Sequence, residues 1–226
     1  MKDWQSIARH IDHTLLKAEA EEKEIRKLCA EATRYSFASV CVNPLWVEEA
    51  RHILREGPVK VATVIAFPLG ATWSTLKALE AREVILRGAQ ELDMVMNIAW
   101  AKEGRWEKLQ EDIEAVVLEG KAFQNISVKV ILETAFLTPQ EIEEACRRAM
   151  AAGADYVKTS TGFGPAGATV ENVALMKNIV SRQGKVKASG GIRSAQDAIT
   201  MLEAGADRLG TSASLKIMND LGAPTL

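Results

Sequence analysis

Cysteine is scarce in this chain. Cys29, Cys41 and Cys146 are an odd set with no Cys-x-x-Cys pair. This argues against a disulfide framework and favours a reducing compartment, so a cytoplasmic protein is expected. Histidine is equally scarce. His10, His13 and His52 lack the cysteine or carboxylate spacing of a zinc site, and no metal site is expected. Neither sign of charge is in excess: 28 Lys and Arg stand against 30 Asp and Glu, for a net charge of −2. Nothing here draws the chain to nucleic acid or to an anionic membrane. No stretch is long and apolar enough to span a bilayer. The opening Met1-Lys2-Asp3-Trp4-Gln5 starts no apolar signal core. Also missing are a Pro- or Ser-rich linker, a low-complexity segment, and a Gly-x-Gly-x-x-Gly fingerprint after the first strand pattern. The last absence argues against an open, dinucleotide-binding sheet.

What is present is a regular alternation. The 226 residues are 47% hydrophobic and 26% charged, enough for one substantial core. Short apolar runs predict strands at Ile11 to Leu16, Phe37 to Val42, Val59 to Phe67, Leu92 to Ile98, Val128 to Glu133, Tyr156 to Thr159, Val186 to Ser189 and Arg208 to Thr211. Helical patterns lie between them. Trp106, Leu109, Ile113, Val116 and Val117 keep one face apolar. Thr138-Pro139-Gln140-Glu141 reads as a capping box with proline at the first helical position, and Ser194 as another N-cap. Gly57, Gly88, Gly120, Gly153, Gly184 and Gly205 each follow a helical stretch, where a left-handed cap suits glycine. A weak repeat runs through Gly88-Ala89, Gly153-Ala154 and Gly205-Ala206, each opening directly into a strand. Asp93, Lys158 and Gly210 hold the same place in it. Eight strands in strict alternation with helices predict an α/β fold, a single-domain (β/α)8 TIM barrel over residues 1–226 with a short N-terminal helix.

In such a barrel the site lies at the C-terminal ends of the strands. The polar residues inside otherwise apolar runs are Asp12, Asp93, Asn97, Lys129, Glu133, Lys158 and Lys187. Lys158 and Lys187 sit on consecutive strands that lead into glycine-containing loops, Thr161-Gly162 and Gly190-Gly191. A free lysine has a pKa of about 10.4. Burial beside a second cation favours its neutral amine, which attacks carbonyls to form a Schiff base. The competing reading is a strand lysine that only balances a buried carboxylate. Asp93 is expected to shuttle a proton or to hold a lysine, with Asp12 in the same network. His13 reads as a satisfied histidine at the rim, Cys41 as a buried structural thiol, and the five tryptophans as helix or interface packing. Ser189-Gly190-Gly191 and Gly210-Thr211-Ser212, after strands seven and eight, suit a phosphate held by backbone amides and a helix end.

Together these residues resemble the deoxyribose-phosphate aldolases, a family of Schiff-base aldolases, over nearly the whole chain. The resemblance rests on Ile11-Asp12-His13-Thr14-Leu15-Leu16, Phe67-Pro68-Leu69-Gly70, Leu92-Asp93-Met94-Val95, Val157-Lys158-Thr159-Ser160-Thr161-Gly162 and Val186-Lys187-Ala188-Ser189-Gly190-Gly191-Ile192-Arg193. It implies that Lys158 forms the imine, that Lys187 tunes its pKa, and that Asp93 joins the proton relay. It also implies reversible cleavage of 2-deoxy-D-ribose 5-phosphate to acetaldehyde and D-glyceraldehyde 3-phosphate, without metal or organic cofactor. Asp12, Lys129, Thr161, Gly162, Gly190, Gly191, Gly210 and Ser212 are the expected substrate and phosphate contacts. The expected partners are small sugar phosphates and aldehydes, with a homodimer or higher homo-oligomer open. Some family members place a lysine where this chain has Phe163, two adjacent serines where it has Ser212-Ala213-Ser214, and a terminal tyrosine that the last seven residues lack. Phosphate recognition is therefore expected to lean on backbone amides. Two alternatives stand beside this reading: a Schiff-base aldolase for another phosphorylated sugar or aldehyde, and a non-catalytic sugar-phosphate sensor.

Overall fold

The computed structural model describes residues 3–224. The extreme ends of the 1–226 assignment, and of the segments read for a leader and for a terminal tyrosine, lie outside these residues. The order is α1 (Trp4–Ala8), β1 (Ile11–Leu15), α2 (Glu22–Tyr35), β2 (Ser39–Val42), α3 (Val47–Leu54), β3 (Lys60–Ile65), α4 (Ser74–Leu86), β4 (Glu91–Val95), α5 (Ile98–Lys102), α6 (Trp106–Lys121), β5 (Ser127–Ile131), α7 (Pro139–Ala151), β6 (Tyr156–Lys158), α8 (Val170–Val180), β7 (Lys185–Ser189), α9 (Ala195–Glu203), β8 (Arg208–Thr211) and α10 (Ser214–Asp220). Every strand pairs in parallel with its sequence neighbour, and β8 closes on β1. This is the expected (β/α)8 barrel with its short N-terminal helix.

Side chains alternate across a strand, and here the two faces differ sharply. Val40, Val42, Leu92, Met94, Val128, Val130, Val157, Val186, Ala188 and Leu209 join one continuous apolar core with the surrounding helices. Apolar burial on this outer face is the main driving force for closure. The inward residues are instead largely polar: Asp12, Ser39, Glu91, Asp93, Lys129, Lys158 and Lys187 are all buried. Among the described residues, Cys41, Ala62 and Val64 form a small separate apolar cluster, with Leu16 and Phe67 packed against it. The polar residues that interrupt the strand patterns are thus the barrel's own filling.

The local signals hold in most places. In α7 the Thr138 hydroxyl accepts from the Glu141 amide at 3.3 Å, and the Glu141 carboxylate accepts from the Thr138 amide at 2.7 Å. Ser194 caps α9 in the same reciprocal way. Gly88, Gly153 and Gly205 end helices in the left-handed region. Gly120 does not: it lies inside α6, where an added Cβ would sit 3.1 Å from Val128 Cγ2, so close helix–strand packing explains the glycine. Gly57 and Gly184 are not left-handed either; at Gly184 a Cβ would collide with Met150 Sδ at 2.3 Å. Several strands are shorter than expected at their ends: β2 begins at Ser39, and β1, β5 and β6 stop at Leu15, Ile131 and Lys158. β3 stops at Ile65, and β4 stops at Val95 because Asn97 caps α5 through the Trp100 amide.

Candidate active site

The strand register brings the charged residues together in the barrel. Asp93 lies level with Lys129, Lys158 with Lys187, and Asp12 with Gly210. Asp93 is the hub. Its Oδ1 accepts from Lys129 Nζ at 2.8 Å, and its Oδ2 accepts from both Lys158 Nζ at 2.8 Å and Lys187 Nζ at 2.7 Å. Lys187 also donates to Asp12. The other Asp12 oxygen accepts from Ser39 Oγ at 2.7 Å and Arg208 Nη1 at 2.6 Å. Lys129 reaches Glu91 at 2.7 Å, and Arg208 reaches the same carboxylate at 3.3 Å. Four cations therefore interlock with three carboxylates.

Burial alone would raise the Asp93 pKa; Lys129, Lys158 and Lys187 outweigh it and hold the carboxyl well below its usual range. Asp12 is likewise held low, by Lys187, Arg208 and Lys129 against the effect of burial. Burial would lower the Lys187 pKa, yet Asp12 and Asp93 push it up. Lys158 goes the other way. Desolvation is the first cause of its lowered pKa and the Lys187 charge adds to it, with Asp93 opposing. Of the four cations, Lys158 is the one that lines the cavity at the C-terminal mouth. A buried amine, pushed towards neutrality at the floor of an open cavity, has the properties of a nucleophile.

That cavity holds about 280 Å³ and lies between the loops after β1, β6, β7 and β8. Thr161, Gly162, Gly190, Gly191, Gly210 and Ser212 all line it, as expected from their loops. Gly190 and Gly191 are both left-handed, at φ +83° and +81°, a conformation that glycine adopts without steric cost. Of the expected substrate contacts, Asp12 and Lys129 are not among the cavity's lining residues: both side chains are fully buried and held in ion pairs. Asn97 is a helix cap and not part of the site.

His13 is the satisfied rim histidine expected, with Nε2 2.8 Å from Glu31 and Nδ1 2.9 Å from Ser214 Oγ. Ser214 is thereby engaged away from the cavity, which Ser212 and Ser189 line. Cys41 faces the barrel interior, and burial pushes its thiol up to about 11, the behaviour of an inert thiol. Phe163 stands at the mouth edge-on to Phe67, ring centroids 5.2 Å apart. Trp4, Trp46 and Trp106 pack partly against the core, whereas Trp73 is exposed.

Some site residues escaped the sequence reading. Glu91 and Arg208 each lie two positions before an inward residue, so period-2 alternation carries the signal. Both open their strands, at the end opposite the one where a barrel's site is expected. Glu133 is among the polar residues that the strand patterns single out, but its contact is new: it binds the Thr161 amide at 3.2 Å and the Thr161 hydroxyl, and it backs onto Gly164, where a Cβ would fall 2.9 Å from its Cδ. Gly167 meets the Gly190 backbone, with a virtual Cβ 2.2 Å from the Gly190 carbonyl oxygen. The spacing Gly162-Phe163-Gly164-Pro165-Ala166-Gly167 was the available clue: Gly164 and Gly167 serve close packing, whereas Gly162 is left-handed at φ +88° with nothing within 4 Å of an added Cβ. Lys17 and Arg193 add cations to the cavity wall.

Among the described residues, no group of three or more His, Cys, Asp or Glu side chains is arranged to hold a metal ion. No helix among them is long and apolar enough to cross a membrane. Residues 7–219 match the model of the DeoC/LacD family aldolases. The chain is 53% identical over 215 residues to a deoxyribose-phosphate aldolase of Thermoanaerobacter sp. (strain X514), covering 95% of this chain and 96% of the relative. A deoxyribose-phosphate aldolase of Carboxydothermus hydrogenoformans is 55% identical over 216 residues, covering 95% of each chain. The tetrameric deoxyribose phosphate aldolase of Aeropyrum pernix superposes with a TM-score of 0.91 at 33% identity, over 97% of this chain and 92% of that one. With its closed barrel, its lysine-lined cavity and relatives of this closeness over nearly its whole length, the chain belongs to the DeoC/LacD family of aldolases.

Proposed function

We propose that this aldolase is a class I enzyme that reversibly cleaves 2-deoxy-D-ribose 5-phosphate to acetaldehyde and D-glyceraldehyde 3-phosphate. One observation carries the mechanism: Lys158 alone among four interlocked cations opens on the cavity, beside the paired glycine loops. The Lys158 amine attacks C1 of the open-chain sugar, and loss of water leaves a protonated imine. Asp93, through an intervening water, takes the proton of the C3 hydroxyl. The C2–C3 bond breaks, its electron pair moves into the imine, and C3 leaves as the aldehyde of glyceraldehyde 3-phosphate. The enamine on Lys158 is protonated at C2, and hydrolysis releases acetaldehyde and the free amine. Lys187 holds the shared Asp93 oxygen in place and keeps positive charge beside Lys158. The phosphate group is assigned to the amides around Gly190, Gly191 and Gly210 to Ser212, with Lys17 and Arg193 on the wall.

The test is covalent trapping. Incubation with deoxyribose 5-phosphate followed by borohydride is expected to leave a reduced adduct on the Lys158 peptide. Activity with no adduct on Lys158 overturns the mechanism. Turnover of deoxyribose 5-phosphate against other sugar phosphates separates this substrate from its alternatives.

Residues 1–226 are read as one catalytic domain and the protein as cytoplasmic. Supporting the latter, Cys29, Cys41 and Cys146 are all buried and unpaired. A homo-oligomer is also inferred, because Trp73, Leu76, Leu79 and Leu86 leave an exposed apolar face along α4, and the Aeropyrum pernix relative is a tetramer.

A further inference from the structure

The ion-pair network does not end at the cavity. It runs the length of the barrel to the opposite mouth, where Arg208 and Glu91 line a second, solvent-reaching cleft of about 490 Å³ with Lys60, Tyr156 and Lys185. The contacts form an unbroken chain: Lys158 to Asp93, Asp93 to Lys187 and Lys129, Lys187 to Asp12, Lys129 to Glu91, and both Asp12 and Glu91 to Arg208. Lys129, Lys158, Lys187 and Arg208 face Asp12, Glu91 and Asp93, so one positive charge is in surplus. We propose that Arg208 is a positioning residue that supplies this surplus from the far end of the barrel, so that Lys158 serves as the free amine, with Glu91 as its counterweight.

The remaining groups around the network do not cancel the surplus. Glu133 is occupied by the Thr161 amide and hydroxyl and, among the described residues, forms no salt bridge within 4 Å. Cys41, also facing Lys158, is a neutral buried thiol. At the lower mouth, Lys60 stands 3.5 Å from Glu91 and Lys185 lies 5.5 Å from the Tyr156 ring centre; both are exposed cations that water screens. Lys17 and Arg193 at the cavity are exposed too. Arg208 itself is mostly enclosed, 5.8 Å from the Tyr156 ring centre, and guanidinium keeps its charge at any working pH. If Arg208 is removed, three cations face three carboxylates. Asp12 and Glu91 are then freer to hold Lys187 and Lys129, and Asp93 is left more fully to the Lys158 ammonium. Removing the Glu91 charge has the opposite sign.

The proposal rests on Lys158 as the imine-forming amine, and the experiment separates the two. Wild type, Arg208→Met, Arg208→Lys and Glu91→Gln are incubated with acetaldehyde and cyanoborohydride at a series of pH values. The Lys158 peptide adduct is quantified by mass, and folding is followed by circular dichroism. The expected midpoint for adduct formation rises by about one pH unit in Arg208→Met and falls by about one in Glu91→Gln, the scale of a single charge at an effective dielectric constant near 20. Arg208→Lys stays near wild type. Loosened structure alone lowers the adduct yield of both variants without moving their midpoints in opposite directions. Coincident midpoints, or shifts of the same sign, overturn the proposal. Should Arg208→Met not fold, Glu91→Gln decides alone, and an unshifted midpoint there overturns it. A wild type with no Lys158 adduct refutes the mechanism itself instead.

Discussion

At the scale of single residues, Gly210 shows how little room the proposed site leaves. A Cβ there would stand 2.9 Å from Lys187 Cε and 3.0 Å from Ser189 Cβ. Gly210→Ala is therefore expected to displace the Lys187 side chain. The expected loss is about 1–3 kcal/mol of stability from overpacking, with kcat down at least about tenfold, as misplacement of a proton-handling group predicts. Denaturant titration and steady-state kinetics check both; an unchanged kcat shows that Lys187 need not stay where it is. Lys187→Leu probes charge and not space. Asp93 keeps Lys129 and Lys158, and Asp12 keeps Arg208, so the fold is expected to persist. Without the Lys187 charge, Lys158 holds its proton more tightly, so activity falls by about 100-fold or more near neutral pH and partly returns as pH rises. A full pH profile reads this, and unchanged activity removes Lys187 from the mechanism. These residues were legible because a lysine or aspartate inside a buried parallel strand is conspicuous. Their partners were not: which oxygen meets which ammonium depends on register around a closed ring.

At the scale of elements, helix caps and cavity loops separate stability from chemistry. The Thr138 hydroxyl caps α7. Thr138→Ala is expected to cost about 1 kcal/mol of stability and leave turnover unaltered, by chemical denaturation and activity assays; a change in turnover ties α7 to the site. Glu133 acts in a loop instead. It is a non-glycine residue at φ +54° whose carboxylate holds Thr161 against the cavity. Glu133→Ala is expected to release that loop and raise KM for the phosphorylated substrate more than it lowers kcat; a kcat effect alone places Glu133 in the chemistry. The cap was readable because it needs only four consecutive residues. The Glu133 contact was not, because 28 residues separate it from Thr161.

At the scale of the whole molecule, the charged barrel interior makes stability depend on pH at both ends. Asp12, Glu91 and Asp93 have folded pKa values below their unfolded ones, about 3.9–4.3. Their contribution is present above that range and is lost as pH falls through the folded values. Lys129 and Lys187 have folded pKa values above an unfolded value of about 10.4. Their contribution is complete below about 10.4 and is lost as pH rises through the folded values. Stability from these five groups is expected to be flat from about pH 5 to 10, with acid unfolding below, while the lowered Lys158 pKa adds a rise with pH inside that window. Thermal melts across pH measure this, and a fall in stability between pH 5 and 7 contradicts it. The exposed α4 face predicts a solution mass above the 24.6 kDa of one chain, and light scattering that returns a monomer rejects the homo-oligomer.

By itself the sequence determined the alternation of eight strands and their helices, the outward apolar faces, the principal caps, and the presence of two lysines and an aspartate where a soluble barrel has no cheap place for them. These are local properties: period, propensity and the cost of burying charge act over a few residues. Closure of the barrel decided everything that depends on distance. It buried Asp12 and Lys129 in ion pairs inside the barrel, turned Ser214 to His13, set Glu133 behind the Thr161 loop, and joined Arg208 to Lys158 through a chain of ion pairs. Electrostatic coupling falls with separation in space, and the nearness of residues 28 to 201 positions apart in the chain exists only once the ring of strands has closed.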